Sequence, residues 1–217
     1  MNDSVYPPAF VISLDFELHW GVSEHVRGER HPYMDHLHGA REAVVQMLEL
    51  FERRGIHATW ATVGMLFARG REDLEQVSPS VRPRYDRASL NTYNIQVGAS
   101  EADDPLHFAP SLIQRIIQTP GQEVASHTFS HYYCDEPGQN VAAFEADLEA
   151  AQKIASRDGV DMESLVFPRN QAVAAYREAL PGRGFTAYRG NPPGGMYQLP
   201  TGKLFRLVAR ALRFGDS

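Results

Sequence analysis

Apolar and polar positions recur along the chain with two different periods. Short apolar runs containing β-branched residues predict strands over Ala9 to Asp15, Ile56 to Val63, Glu123 to Ser126, Leu165 to Phe167 and Phe185 to Tyr188. Between them the spacing turns helical. Gly39 to Arg54 carries Ala43, Val44, Met47, Leu48 and Phe51 on one side, and Gly55 is placed to stop the helix. Pro110 to Gln118, Val141 to Ser156 and Ala172 to Leu180 read as further helices, the second with Phe144, Leu148 and Ile154 on one face. From Val77 to Phe108 the periodicity is lost, and Pro79, Pro83 and Pro105 interrupt the chain. That stretch reads as a long loop, of the kind that often carries function. Lys203 to Phe214 reads as a basic amphipathic helix packed on the body, with contact to a membrane surface as the lesser reading.

Strands alternating with helices predict an α/β fold with a parallel sheet, either a barrel or doubly wound. Both architectures gather their functional groups at the C-terminal ends of the strands. Four of the strand ends read here carry polar residues: Asp15 with Glu17, His127, Arg169 with Asn170, and Arg189 with Asn191.

Length and composition narrow the function classes. The 217 residues suit a single domain, 1–217. A net charge of −6 argues against a nucleic-acid partner. The single cysteine, Cys134, leaves no intramolecular disulfide and reads as a packing residue rather than a nucleophile. Neither a secretory signal nor a run long enough to span a membrane is legible, so a cytoplasmic location is expected.

Three segments carry chemistry. In Ser126-His127-Thr128-Phe129-Ser130-His131 two histidines stand four apart, so a helical segment would put both imidazoles on one face and let them share a metal ion. Alone this spacing is a weak signal; its place at a strand end strengthens it. In Ser13-Leu14-Asp15-Phe16-Glu17-Leu18-His19-Trp20-Gly21 a buried strand ends in two carboxylates, which calls for a metal or a catalytic base, because unpaired buried charge is costly. On a strand Asp15 and Glu17 point to one face. His19 is a lesser candidate ligand. In Val166-Phe167-Pro168-Arg169-Asn170-Gln171 an arginine directly after a strand is placed to grip and orient a carboxylate. Tyr132 and Tyr133 suit either a sugar cleft or the core.

The order of these segments resembles the polysaccharide deacetylases of carbohydrate esterase family four, over about Phe10 to Asn191. The runs S-L-D-F-E-L-H-W-G, H-F-A-P-S-L, S-H-T-F-S-H-Y-Y-C and F-P-R-N-Q resemble more narrowly a bacterial branch associated with surface-polysaccharide biosynthesis. The resemblance implies an irregular (β/α) barrel with fewer than eight strands. It also implies hydrolysis of a non-peptide C–N bond in a carbohydrate partner, and a divalent metal, zinc being favoured. Carried over, Asp15 matches the aspartate base, His127 and His131 match the metal histidines, and Arg169 falls in the segment matching the arginine motif.

The chain departs from the family in two places. Phe16 stands where a second aspartate would bind metal, leaving Glu17 or Asp15 itself as the acidic ligand. No histidine follows His131, where the family places a late general acid, so the domain is expected to continue beyond Ser217. Two other readings stay open: the same fold hydrolysing a small amide, and a carbohydrate-binding or scaffolding domain without catalysis.

Overall fold

The computed structural model describes residues 10–28 and 30–191. Five strands form one parallel sheet: β1 (Ser13–Phe16), β2 (Ala58–Thr62), β3 (Gln122–Ser126), β4 (Ser164–Val166) and β5 (Ala187–Arg189). Their order in the sheet is their order in the chain. A doubly wound sheet reverses direction at a switch point, whereas a barrel adds each strand beside the last. The order therefore resolves the alternative left open by the sequence in favour of a barrel-type sheet. β1 and β5 are not paired, yet the Arg189 guanidinium reaches Ser13 Oγ (3.1 Å) and Asp15 Oδ2 (2.9 Å). The two ends of the sheet can meet only if it curls, which makes the fold a half-barrel.

Each crossover has a sequence reason. In α1 (Met34–Arg54) Leu37, Val44, Leu48 and Phe51 face the core. Gly55 ends it in the left-handed region at φ 61°, and its N–H bonds back to Phe51 and Glu52. In α3 (Pro110–Gln118), where proline suits the first turn, Leu112, Ile113 and Ile116 are buried. In α4 (Val141–Ser156) Asn140 caps the first turn by accepting from Ala143 N–H at 2.9 Å. A short α5 (Ala174–Arg177) lies inside the expected 172–180 helix. Trp20, Trp60, Phe108, Phe129, Phe144 and Phe167 fill the core these elements share, and each such ring contributes on the order of 2–3 kcal/mol.

Some boundaries moved. β1 begins at Ser13, with Phe10 and Val11 exposed and Ala9 outside the described residues. The stretch read as loop from Val77 opens at the end of a helix, α2 (Arg71–Val77), that the sequence did not announce. It holds two short 3-10 turns, Ala88–Leu90 and Thr92–Asn94, and packs back onto the sheet's C-terminal edge through Thr92, Tyr85 and Leu90. The helix read over Lys203 to Phe214 lies outside the described residues. No described helix is long and apolar enough to cross a membrane.

Candidate metal centre

All five strands point their C-terminal ends the same way, so the loops that follow them share one edge of the sheet. β1 delivers Asp15 there, in register beside Ala61 of β2. Phe16 turns into the core, 4% exposed, while Ser13 and Asp15 turn toward Arg189. Glu17 has already left the strand at φ −133°, ψ −16° and opens a 3-10 turn, Leu18–Gly21. The strand alternation expected to align Asp15 with Glu17 therefore ends between them. Glu17 reaches its position because the backbone turns.

The two histidines converge by a route the sequence did not predict. No helix forms over 127–131. β3 ends at Ser126, and the chain bends through Thr128 (φ 64°) and His131 (φ 54°), both in the left-handed region. For a β-branched residue that conformation is a genuine outlier, costing on the order of 1–3 kcal/mol. Local bonds hold it. Ser126 Oγ accepts from Thr128 N–H, and Thr128 Oγ1 accepts from Tyr132 N–H (2.7 Å). The carbonyls of Thr128 and Phe129 accept from Gly64 and Met65 N–H. Gly64 is needed for that approach, because a Cβ there would fall 2.9 Å from Phe129 Cα. Leu18, Arg169 and Asn170 complete the five positive-φ non-glycine residues among those described, and all five border the same edge.

Glu17, His127 and His131 meet at this edge. Glu17 Oε2 lies 3.1 Å from His127 Nε2 and 3.0 Å from His131 Nε2, and the three donor atoms sit within 4.8 Å of one another. Both imidazoles are buried, and the carboxylate is 27% exposed. The protonation logic bears on what fits between them. His127 Nδ1 lies 2.9 Å from the Val166 carbonyl, an acceptor only, so that nitrogen carries the proton. In the neutral ring Nε2 is then a lone pair aimed at a carboxylate oxygen. The contact needs a positive charge, either a second proton or a metal ion. Two imidazole nitrogens and a carboxylate oxygen, with one imidazole held from behind by a backbone carbonyl, are a donor set suited to a divalent ion.

The electrostatics point the same way. Burial alone would raise the Glu17 pKa. Hydrogen bonds to His127 and His131 and their charges outweigh it and hold the group far below the usual carboxylate range. His131 is shifted downward, chiefly by burial, against the pull of Glu17 and of Asp15, whose charge is felt at that ring.

Asp15, about one-third exposed, is gripped by Arg189, with Nη1 2.9 Å from Oδ1 and Nη2 2.9 Å from Oδ2. Nη2 also donates to Asn170 Oδ1 at 3.2 Å. This is the bidentate grip expected of Arg169, and here the structure corrects the reading. Arg169, itself in the left-handed region (φ 55°), pairs with Glu24 instead, stacking 4.6 Å from the Tyr133 ring centroid. Glu24, only 2% exposed, also takes Arg87 at 2.9 Å.

His19 is not among the converging groups. Its Nε2 lies 2.9 Å from the Val26 carbonyl and its Nδ1 2.8 Å from His107 Nε2, which is itself paired with Asp104. Tyr132 and Tyr133 are both core residues, although the Tyr133 ring packs edge-on against His131 at 5.0 Å. Cys134 is buried, and burial pushes its thiol well up. Sequence reasoning missed Arg189 as the partner of Asp15, and it missed Gly21. A Cβ at Gly21 would overlap the Glu17 carboxyl group. The glycine at the end of S-L-D-F-E-L-H-W-G was the available signal.

No protein-family profile and no curated protein matches the sequence. Solved structures do resemble the fold. A candidate polysaccharide deacetylase from Mycobacterium smegmatis is 14% identical, with 82% of this chain and 49% of that chain covered, at a TM-score of 0.55. A family 4 carbohydrate esterase from Streptomyces lividans, in complex with acetate, is 15% identical, with 82% and 59% covered, at 0.45. The chitin deacetylase of Colletotrichum lindemuthianum is 14% identical, with 92% and 63% covered, at 0.47. The chain thus spans between 49% and 63% of these structures. At such identities the likeness concerns architecture, and the described part of this chain has the polysaccharide-deacetylase fold, an irregular (β/α) barrel with fewer than eight strands.

Proposed function

We propose that this chain is a metal-dependent hydrolase of carbohydrate esterase family four that removes N-acetyl groups from an amino sugar in a polysaccharide or its precursor. The observation that carries the reading is one carboxylate oxygen, on Glu17, facing the Nε2 atoms of His127 and His131 at 3.1 and 3.0 Å. The ordered motifs around Asp15, His127 and Arg169 support it, as does the fold. The narrower resemblance of S-L-D-F-E-L-H-W-G and S-H-T-F-S-H-Y-Y-C supports a bacterial surface polysaccharide as the substrate class.

In this reading Glu17, His127 and His131 hold a divalent cation, with zinc favoured by two imidazoles and one carboxylate. Such an ion, when bound, supplies Lewis acidity toward the amide carbonyl and the attacking water. The remaining work falls to the chain. Asp15 accepts the proton that water loses as its oxygen adds to the acetyl carbon. Arg189 bonds both Asp15 oxygens, leaving each a further lone pair for that proton and fixing where the carboxylate points. As the C–N bond breaks, the proton held by Asp15 passes to the leaving nitrogen and the hydroxyl proton of the adduct follows, giving acetate, a sugar ammonium group and an Asp15 carboxylate again. Arg169 serves the site at one remove, pairing with Glu24 and lying over Tyr133, whose ring packs edge-on against His131.

The test is acetate release from N-acetylated oligosaccharides by the zinc-loaded protein and by Asp15→Asn. The amide is nearly isosteric with the acid but a far poorer proton acceptor, so the rate should fall by about 100-fold or more, with zinc content and circular dichroism unchanged. A near wild-type rate in Asp15→Asn would remove Asp15 as the base. A zinc-loaded wild type that releases no acetate from any such oligosaccharide would reject the deacetylase.

A further inference from the structure

Asp147 is fully buried on α4, among Phe144, Leu148 and Ala151, and no step described above uses it. A carboxylate with no contact to solvent is costly unless donors surround it. Its Oδ1 accepts from Phe129 N–H (2.6 Å) and Ser130 N–H (3.3 Å). Its Oδ2 accepts from Ser130 N–H (3.2 Å), from the Ser130 hydroxyl and from Tyr93 O–H (3.4 Å). These partners are two backbone amides and two hydroxyls. Satisfying two backbone amides that no substitution can remove is one reason for a buried acid here, since without it both would be left buried and unpaired.

The location of its partners gives a second reason. Phe129 and Ser130 lie between the two histidines and between the two left-handed residues, Thr128 and His131. Successive N–H groups beside left-handed residues form a concavity that takes an anion, and here the anion is a side chain from the neighbouring helix. The same loop is tied to the 77–108 stretch, because Thr92 O–H donates to the Ser130 carbonyl at 3.0 Å and Tyr93 reaches Asp147 itself.

We infer that Asp147 is a positioning residue for the metal centre: its carboxylate clamps the 128–131 turn in the strained geometry that brings His127 Nε2 and His131 Nε2 onto one Glu17 oxygen. The inference rests on the metal-binding reading above. Without the clamp the turn is free to relax toward ordinary φ, and the imidazoles lose their common focus. The effect should appear in metal affinity, which a purely structural role would leave alone in the folded population.

The test is titration of Zn2+ against a competing chelator into wild type, Asp147→Asn, Ser130→Ala and His127→Ala, each checked for folding by circular dichroism and thermal melting. Asp147→Asn keeps one oxygen for the amides but loses the charge and an acceptor, and should weaken zinc binding about tenfold while folded. Ser130→Ala removes one donor and should weaken it by less. Should Asp147→Asn fail to fold, Ser130→Ala decides. Zinc affinity within twofold of wild type in the folded variant, with His127→Ala defective, would overturn the inference and leave the metal site standing. A wild type that does not bind zinc would instead remove the reading beneath it.

Discussion

The Glu17 carboxyl group occupies the space that a side chain on residue 21 would need. Leu18–Gly21 folds back as a single 3-10 turn, and Trp20 N–H bonds to the Glu17 carbonyl at 3.0 Å, so residue 21 passes over the side chain it must leave free. Gly21→Ala should therefore move the carboxylate without unfolding the domain. The expected outcome is zinc binding weakened by about tenfold or more, as for other disturbances of a ligand's support, with the melting temperature of the metal-free protein close to wild type. Full zinc affinity in Gly21→Ala would mean that the ligand set tolerates a displaced Glu17. At this scale residue identity was legible: acid, histidine and histidine, spaced as the motifs had them. Residue partnership was not. Arg169 and Arg189 both follow strands as read from the sequence, but in the structure Arg189 is the last residue of β5 and reaches Asp15, while Arg169 lies beyond β4 at a positive φ and pairs with Glu24.

At the scale of elements, α4 was legible to the residue and its most consequential side chain was not. Apolar spacing was enough to place Val141–Ser156, and Asp147 falls within it as a break in the apolar face. Nothing local announces that its partner is a loop 17 residues away. Burial outweighs its hydrogen bonds and pushes its pKa from an ordinary 3.8 up to about 6. An acid whose pKa is raised on folding favours the folded state most below its unfolded pKa, and that contribution is lost as pH rises through the folded value. Asparagine does not titrate. The stability of metal-free wild type relative to metal-free Asp147→Asn should thus fall by roughly 2–3 kcal/mol between about pH 4 and about pH 8, as read from denaturant melts in chelator. A difference that stays flat, or grows with pH, would show the carboxylate well served by its donors. The 127–131 segment was misread at this scale for a related reason. Spacing of four suits a helix, but two left-handed residues held by tertiary bonds produce the same convergence, and tertiary bonds leave no period in the sequence.

For the molecule as a whole, the alternation of strands and helices was sufficient to predict a parallel sheet. It could not choose between a barrel and a doubly wound sheet, because both share that alternation and differ only in which edge each new strand joins. The motif resemblance chose the barrel, and strand order bears it out. The curl of the sheet then matters chemically, since it brings β5 across to β1 and lets Arg189 hold Asp15 near the histidines that follow β3. The central claim is a division of labour between the two acids of β1 and its following turn: Glu17 binds metal and Asp15 handles protons. Zinc titration into Glu17→Gln beside Asp15→Asn tests that division most directly. The account predicts that Glu17→Gln loses most zinc affinity, by about 100-fold or more as expected for one of only three protein ligands, while Asp15→Asn binds within a few-fold of wild type. Tight binding in Glu17→Gln together with loss in Asp15→Asn would contradict it and make Asp15 the acidic ligand.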